Sequence, residues 1–158
     1  MPQIGEQDYR NGAKERLAEA GRLFQGDQFS GCVYLAGRAV EGMLRGLIWK
    51  LDPEYRVGKK SLETGHDLKD LLKLVEGFGL LSDQNNRDDE MRRHVQNVAR
   101  RWHNNMRFVP ERWIASYWRT IAVITSRNTM RHAAREFYRA CSMIIKRCEV
   151  LYDQADKK

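Results

Sequence analysis

No stretch of this chain approaches 18 uninterrupted apolar residues, so nothing in it reads as a membrane-spanning helix. Proline is scarce, with three in 158 residues, and β-branched alternation is rare, which leaves little room for strands. No repeat or low-complexity tract breaks the pattern. The first residues, Met-Pro-Gln-Ile-Gly-Glu-Gln, carry neither a basic segment nor an apolar one, so secretion is not expected and the cytoplasm is. Cysteine is equally sparse. Cys32, Cys141 and Cys148 all fall on apolar helical stripes, and the last two stand too far apart on one helix to bridge each other. Buried reduced thiols are expected, with no metal and no cofactor, because no partners stand at ligand spacing.

Charge, by contrast, is plentiful and unbalanced. Lys and Arg number 28 against 21 Asp and Glu, and 19 of the 28 are arginine. Arginine forks match phosphate and stack on bases, so this bias fits a polyanionic partner such as RNA or a nucleotide, although a basic small protein needs no ligand to explain it. The chain is long enough for one domain with a real core, expected over residues 1–158 with short flexible ends at about 1–8 and 154–158.

Helical periodicity runs almost throughout, and an all-α, up-down bundle of four to five helices is expected. Ala13, Leu17, Ala20 and Phe24 form one stripe, closed by Gly26, with Asp27 as the expected cap of the next helix. That second helix spans 29–51 and stops at Asp52-Pro53. Its apolar positions, among them Val33, Ala36, Val40, Leu44 and Leu47, are threaded with Gly31, Gly37, Gly42 and Gly46. Each Gly costs a helix about 1 kcal/mol relative to Ala. The set predicts close approach of another backbone, in a dimer or a tight bundle.

The loop around Gly58-Lys59-Lys60 lacks phosphate-loop spacing and reads as a solvated turn. A short helix follows Gly65-His66-Asp67, carries Leu68, Leu71, Leu72 and Val75, and ends at Gly77 or Gly79. Residues 82–89 read as a polar linker, and a further helix is expected from about Asp89 to Arg107 with Trp102 inward. After Pro110 comes an amphipathic piece carrying Ile114, Tyr117, Trp118, Ile121 and Ile124. The last helix has a heptad seam of Ala134, Phe137, Cys141, Ile144, Cys148 and Leu151.

Three sets of residues together resemble the HEPN (higher eukaryotes and prokaryotes nucleotide-binding) domain: Tyr34-Leu35-Ala36-Gly37-Arg38-Ala39-Val40-Glu41, then Gly65-His66-Asp67-Leu68, then Trp102 with Arg107-Phe108. The resemblance runs from about residue 10 to 154. It implies a helical bundle, a homodimer with a cleft near the two-fold axis, and either metal-independent ribonuclease activity or a non-catalytic binding module. Some relatives are toxins paired with a small nucleotidyltransferase antitoxin, which makes such a partner an expectation here.

The family's catalytic signature is an Arg followed, after four to six residues, by a His. Arg127 and His132 satisfy it, with the favoured polar residue Asn128 after the Arg; Arg87 and His94 satisfy only the spacing. Arginine is frequent enough that spacing alone finds a match about once by chance. Arg107, where nuclease relatives carry the motif, is followed at the required distances by Arg112, Trp113 and Ile114, a departure from the pattern. In the catalytic reading His132 moves protons about a ribose hydroxyl and Arg127 stabilises phosphate charge. In the alternative they are an exposed basic turn.

Candidate binding residues are Arg38, Glu41, Arg45, His66, Arg93, Arg100 and Arg107. Arg38, Glu41 and Arg45 are either a surface ion-pair ladder or a polar cluster at the cleft. His66 is either structural at a helix start or part of the cleft. Arg93, Arg100 and Arg107, seven apart, are either a phosphate-tracking stripe or a solvated face. Trp113, Tyr117 and Trp118 are core or interface, or else stack bases.

Overall fold

A computed structural model describes residues 2–56 and 67–157. Among them are six α-helices, two 3-10 segments and no strand. The all-helical expectation holds, with one α-helix more than the four to five anticipated. His66 and the Gly58-Lys59-Lys60 turn lie outside the described residues.

Helix α1 (Glu6–Gln25) opens with a reciprocal cap in which the Gly5 N–H donates to the Asp8 carboxylate at 2.7 Å. It ends at Gly26. Asp27 does not cap the next helix, contrary to expectation. It adopts φ +58°, a left-handed conformation that Asp tolerates and that the tight link demands, and its carboxylate pairs with Arg131. Gln28 takes the cap position instead.

Helix α2 (Phe29–Leu51) is the centre of the molecule, with 14 of its 23 residues buried. It packs on α1, on the last helix and on the third. A helix this apolar on most sides belongs in a core. The expected close approaches at its glycines exist within the chain: the α1 backbone comes near Gly46 and Gly42, the Glu6 and Tyr9 carbonyl oxygens lying 3.3 and 3.9 Å from where a Cβ would stand, and side chains close on Gly37 and Gly46. A Cβ at Gly37 would collide with the Trp102 indole, and one at Gly46 with the Tyr152 hydroxyl. A 3-10 turn (Pro53–Arg56) then turns Tyr55 inward.

Helix α3 (Leu68–Gly77) is capped by Asp67, whose carboxylate accepts the Lys69 N–H at 2.9 Å, and buries Leu68, Leu71, Leu72 and Val75. Helix α4 (Asn86–Arg101) is capped by Asn85. It starts earlier than expected, shortening the anticipated linker, and ends at Arg101 rather than Arg107. At Trp102 the backbone turns extended and the buried indole N–H donates to the Tyr34 carbonyl at 3.2 Å. His103 Nδ1 then accepts the Asn105 N–H, and a 3-10 segment (Asn104–Phe108) follows.

Helix α5 (Glu111–Thr120) starts after Pro110 and stops short of Ile124, because Ala122 at φ +59° reverses the chain onto the Trp118 carbonyl. Helix α6 (Met130–Ala155) begins at Thr129, whose hydroxyl accepts the His132 N–H at 3.1 Å. Residues 121–129, between α5 and α6, are not helical. The expected heptad seam is buried along its length. Asp88 joins α4 to α6: it is 1% exposed and accepts from Arg147 Nε at 2.7 Å and from the Ser82 N–H at 2.9 Å.

Candidate functional site

The polar face of α2 is not a surface ladder. Glu41 is 2% exposed and Arg45 6%. The Glu41 carboxylate accepts from Arg38 Nη1 at 2.8 Å and from Arg45 Nε at 3.0 Å, and Arg45 Nη1 donates to the Tyr55 hydroxyl at 3.1 Å. Burial raises the Tyr55 phenol above its ordinary range, partly offset by the Arg45 charge. The cluster therefore holds α2 to the turn that follows it. Only Arg38 reaches an open surface, in a hollow of about 740 Å³ between α1 and α2 lined also by Tyr9, Gly12, Tyr34 and Gly42.

A second polar surface lies along α3 and α4. Asp67, Lys69, Trp102, His103, Asn104 and Asn105 line a cavity of about 490 Å³. Lys69 also lines its neighbour, with Lys73, Glu76, Arg92, Gln96, Asn97 and Arg100. The two hollows share Lys69 and lie side by side along α3 and α4, where they are called the α3–α4 groove below. The two carboxylates among its described lining residues are engaged: Asp67 caps α3, and Glu76 accepts from Arg92 Nε at 2.6 Å. Lys69 has no ion-pair partner among the described residues. The bond from the Asn105 N–H to His103 Nδ1 leaves the imidazole proton on Nε2. Asn104 is 7% exposed and its Oδ1 has no hydrogen-bond partner, an uncommon state for a buried amide.

The expected arginine stripe is only partly present. Arg93 and Arg100 share a face of α4, and Arg100 lines the groove while donating to the Ile121 carbonyl. Arg107 is removed from that face because α4 ends before it, and its guanidinium lies over the Phe108 ring. Trp118 is core, as one reading held; Trp113 is 47% exposed and stacks on Tyr117. Burial, then the adjacent Arg100 charge, lowers Arg101 below its ordinary range.

Arg127 and His132 flank the start of α6, and both are exposed. Asn128 is occupied by the turn itself: its carbonyl oxygen accepts the Thr125 N–H at 2.7 Å and its amide donates to the Val123 carbonyl at 2.9 Å. Neither Arg127 nor His132 lines a described cavity, whereas Arg87 and His94 share one, between α4 and α6. Among the described residues no group of three or more His, Cys, Asp or Glu side chains is placed to hold a metal ion.

No family model, curated protein or solved structure matches this chain. The groove along α3 and α4 thus rests on its own chemistry. Sequence reading found Arg100 but missed Lys69, Lys73, Asn104 and Asn105. Lys69 and Lys73, four apart on the outer face of α3, were the available signal. Nothing local marked Asn104, which is buried only because α4 ends early.

Proposed function

We propose that this chain is a HEPN-like domain that binds single-stranded RNA in the groove between α3 and α4. The observation that carries the proposal is the pair of neighbouring hollows that share Lys69. It sets Lys69, Lys73 and Arg100 along one path for a phosphate backbone, beside the amide of Asn104 and the imidazole of His103. Lysines and arginines track phosphates, while amides and imidazoles meet base edges and faces. The net charge of +7 adds a favourable long-range field.

The test is a salt titration of RNA binding for the protein and its Lys69→Glu/Lys73→Glu variant. Both side chains are exposed, so the fold is retained. Binding falls about tenfold or more in the variant, and the salt slope drops by about 2. Unchanged affinity and slope would remove the groove from RNA recognition.

A second reading is metal-independent cleavage by Arg127 and His132. It is favoured by one observation: neither side chain has an ion-pair or hydrogen-bond partner among the described residues, so both are free to meet a phosphodiester. Cleavage of total RNA in EDTA, lost in His132→Ala, supports it; equal cleavage by both proteins removes His132 from the chemistry. We place the dimer contact at the hollow between α1 and α2, where a Cβ added at Gly12 would meet no atom within 4 Å. A nucleotidyltransferase partner remains an expectation of the resemblance alone.

A further inference from the structure

On a different face of α4 from the RNA groove, Arg87, Glu90, Met91 and His94 stand opposite Met143, Lys146, Arg147 and Val150 of α6. Both sets advance by three, one and three residues, so each helix presents two successive turns to the other. Between them lies an open groove of about 310 Å³. Its apolar part is exposed where a core helix would cover it: Met143 is 42% exposed and Val150 41%. They lie seven residues apart on one helix, a separation of about 10 Å, or two helical turns.

The rim is basic. Arg87 and Lys146 have no ion-pair partner among the described residues. Arg147 is held by Asp88 beneath the groove. Among the described residues Glu90 is the only carboxylate lining it, and lies 3.7 Å from His94 Nε2, a buried nitrogen with no hydrogen bond among them. Phosphate alone leaves Met143 and Val150 unexplained, and an apolar ligand alone leaves Arg87 and Lys146 unexplained. A second copy of the chain is a poor occupant, because it brings a net charge of +7 to a basic rim.

We propose that this groove docks an acidic amphipathic helix of a partner protein. Apolar anchors two turns apart on that helix cover Met143 and Val150, and its carboxylates meet Arg87 and Lys146. Methionine suits such a contact because its unbranched side chain adapts to different anchors. The inference uses no residue of the α3–α4 groove and stands apart from the RNA reading.

The experiment uses the full chain labelled with ¹³C at its methionine methyl groups. It is titrated with a designed helical peptide carrying leucines two turns apart among glutamates, and with the same peptide carrying lysines in place of the glutamates. The glutamate peptide moves the Met143 methyl resonance and leaves that of Met43, buried in α2, unmoved; the lysine peptide moves neither. Arg87→Glu/Lys146→Glu, two exposed positions, weakens the glutamate peptide by about tenfold or more and admits the lysine peptide. Three outcomes overturn the proposal: neither peptide binds; the Arg87→Glu/Lys146→Glu variant binds the glutamate peptide as the parent does; or oligouridylate moves the Met143 methyl and loses that effect in the variant, which would make this a nucleic-acid surface.

Discussion

Gly37 and Gly42 occupy one helix and have opposite requirements. A methyl group at Gly37 runs into the Trp102 indole, which is pinned to the Tyr34 carbonyl and cannot retreat without losing that bond. At Gly42 the nearest atom to an added Cβ is the Ala13 Cβ at 3.7 Å, an ordinary contact. Gly37→Ala is therefore expected to destabilise the protein by about 1–3 kcal/mol, as overpacking does. Gly42→Ala is expected to stabilise it by up to about 1 kcal/mol through helix propensity. Urea denaturation of the two variants checks the difference in sign; two losses of equal size would mean that the close approach to Trp102 is not what the first glycine serves. The thiols give a second expectation. Burial pushes Cys32 and Cys148 up to about 12 and raises Cys141 as well. Thiolate is the reactive form, so at pH 8 the native protein should leave all three unmodified by a disulfide reagent, and denaturant should release three equivalents. Rapid reaction of any one of them in the native state would contradict their burial.

Among the elements, α4 lines two of the grooves and is tied to α6 by the buried Asp88. Removing Asp88 leaves Arg147, at 10% side-chain exposure, without its partner and the Ser82 N–H without its acceptor. Asp88→Ala should cost about 3–5 kcal/mol in urea unfolding, whereas exposed Asp89→Ala on the same turn should cost about 1 kcal/mol or less. A second tie, Arg10 to Glu149, joins α1 to α6 and has a pH signature. The hydrogen bond from Arg10 lowers the Glu149 carboxyl below its ordinary value. A depressed folded-state value means that the stabilisation is present above the ordinary glutamate range and is lost as pH falls through the lowered one. Glu149→Gln should accordingly flatten the acid limb of the stability profile; an unchanged limb would mean that the pair contributes nothing measurable. These same elements show what the sequence could convey. Both ends of α2 were legible, because the apolar stripe starts cleanly at Phe29 and Asp52-Pro53 forbids continuation. The end of α4 was not. Arg93, Arg100 and Arg107 keep a seven-residue helical spacing past that end, and the Trp102 indole, bonded to the Tyr34 carbonyl, sits where the chain leaves the helix. Asp27 was misread because a residue suited to capping is suited also to a left-handed turn.

For the molecule as a whole, the basic balance was visible from composition, but its distribution was not. Glu41 and Arg45 cancel inside the core, Arg92 is surrounded by Glu76, Asp83 and Asp89, and Arg147 is neutralised by Asp88. What is left for partners is a smaller set, including Lys69, Arg87, Arg127 and Lys146, divided among several faces. The hollow between α1 and α2 has a different character. It is the largest described, its lining mixes Tyr9, Tyr34 and Leu35 with Gly12 and Ala13, and Arg38 supplies its edge. A second copy placed there would cover apolar surface without facing the cations of the other grooves. The proposed dimer therefore predicts that light scattering at micromolar concentration gives twice the chain mass. Gly12→Arg should reduce that to a monomer with an unchanged helical spectrum, since a Cβ at Gly12 meets no atom within 4 Å and the new charge disturbs only an incoming chain. A monomer before substitution would refute the dimer outright. A dimer indifferent to Gly12→Arg would move the contact to another face.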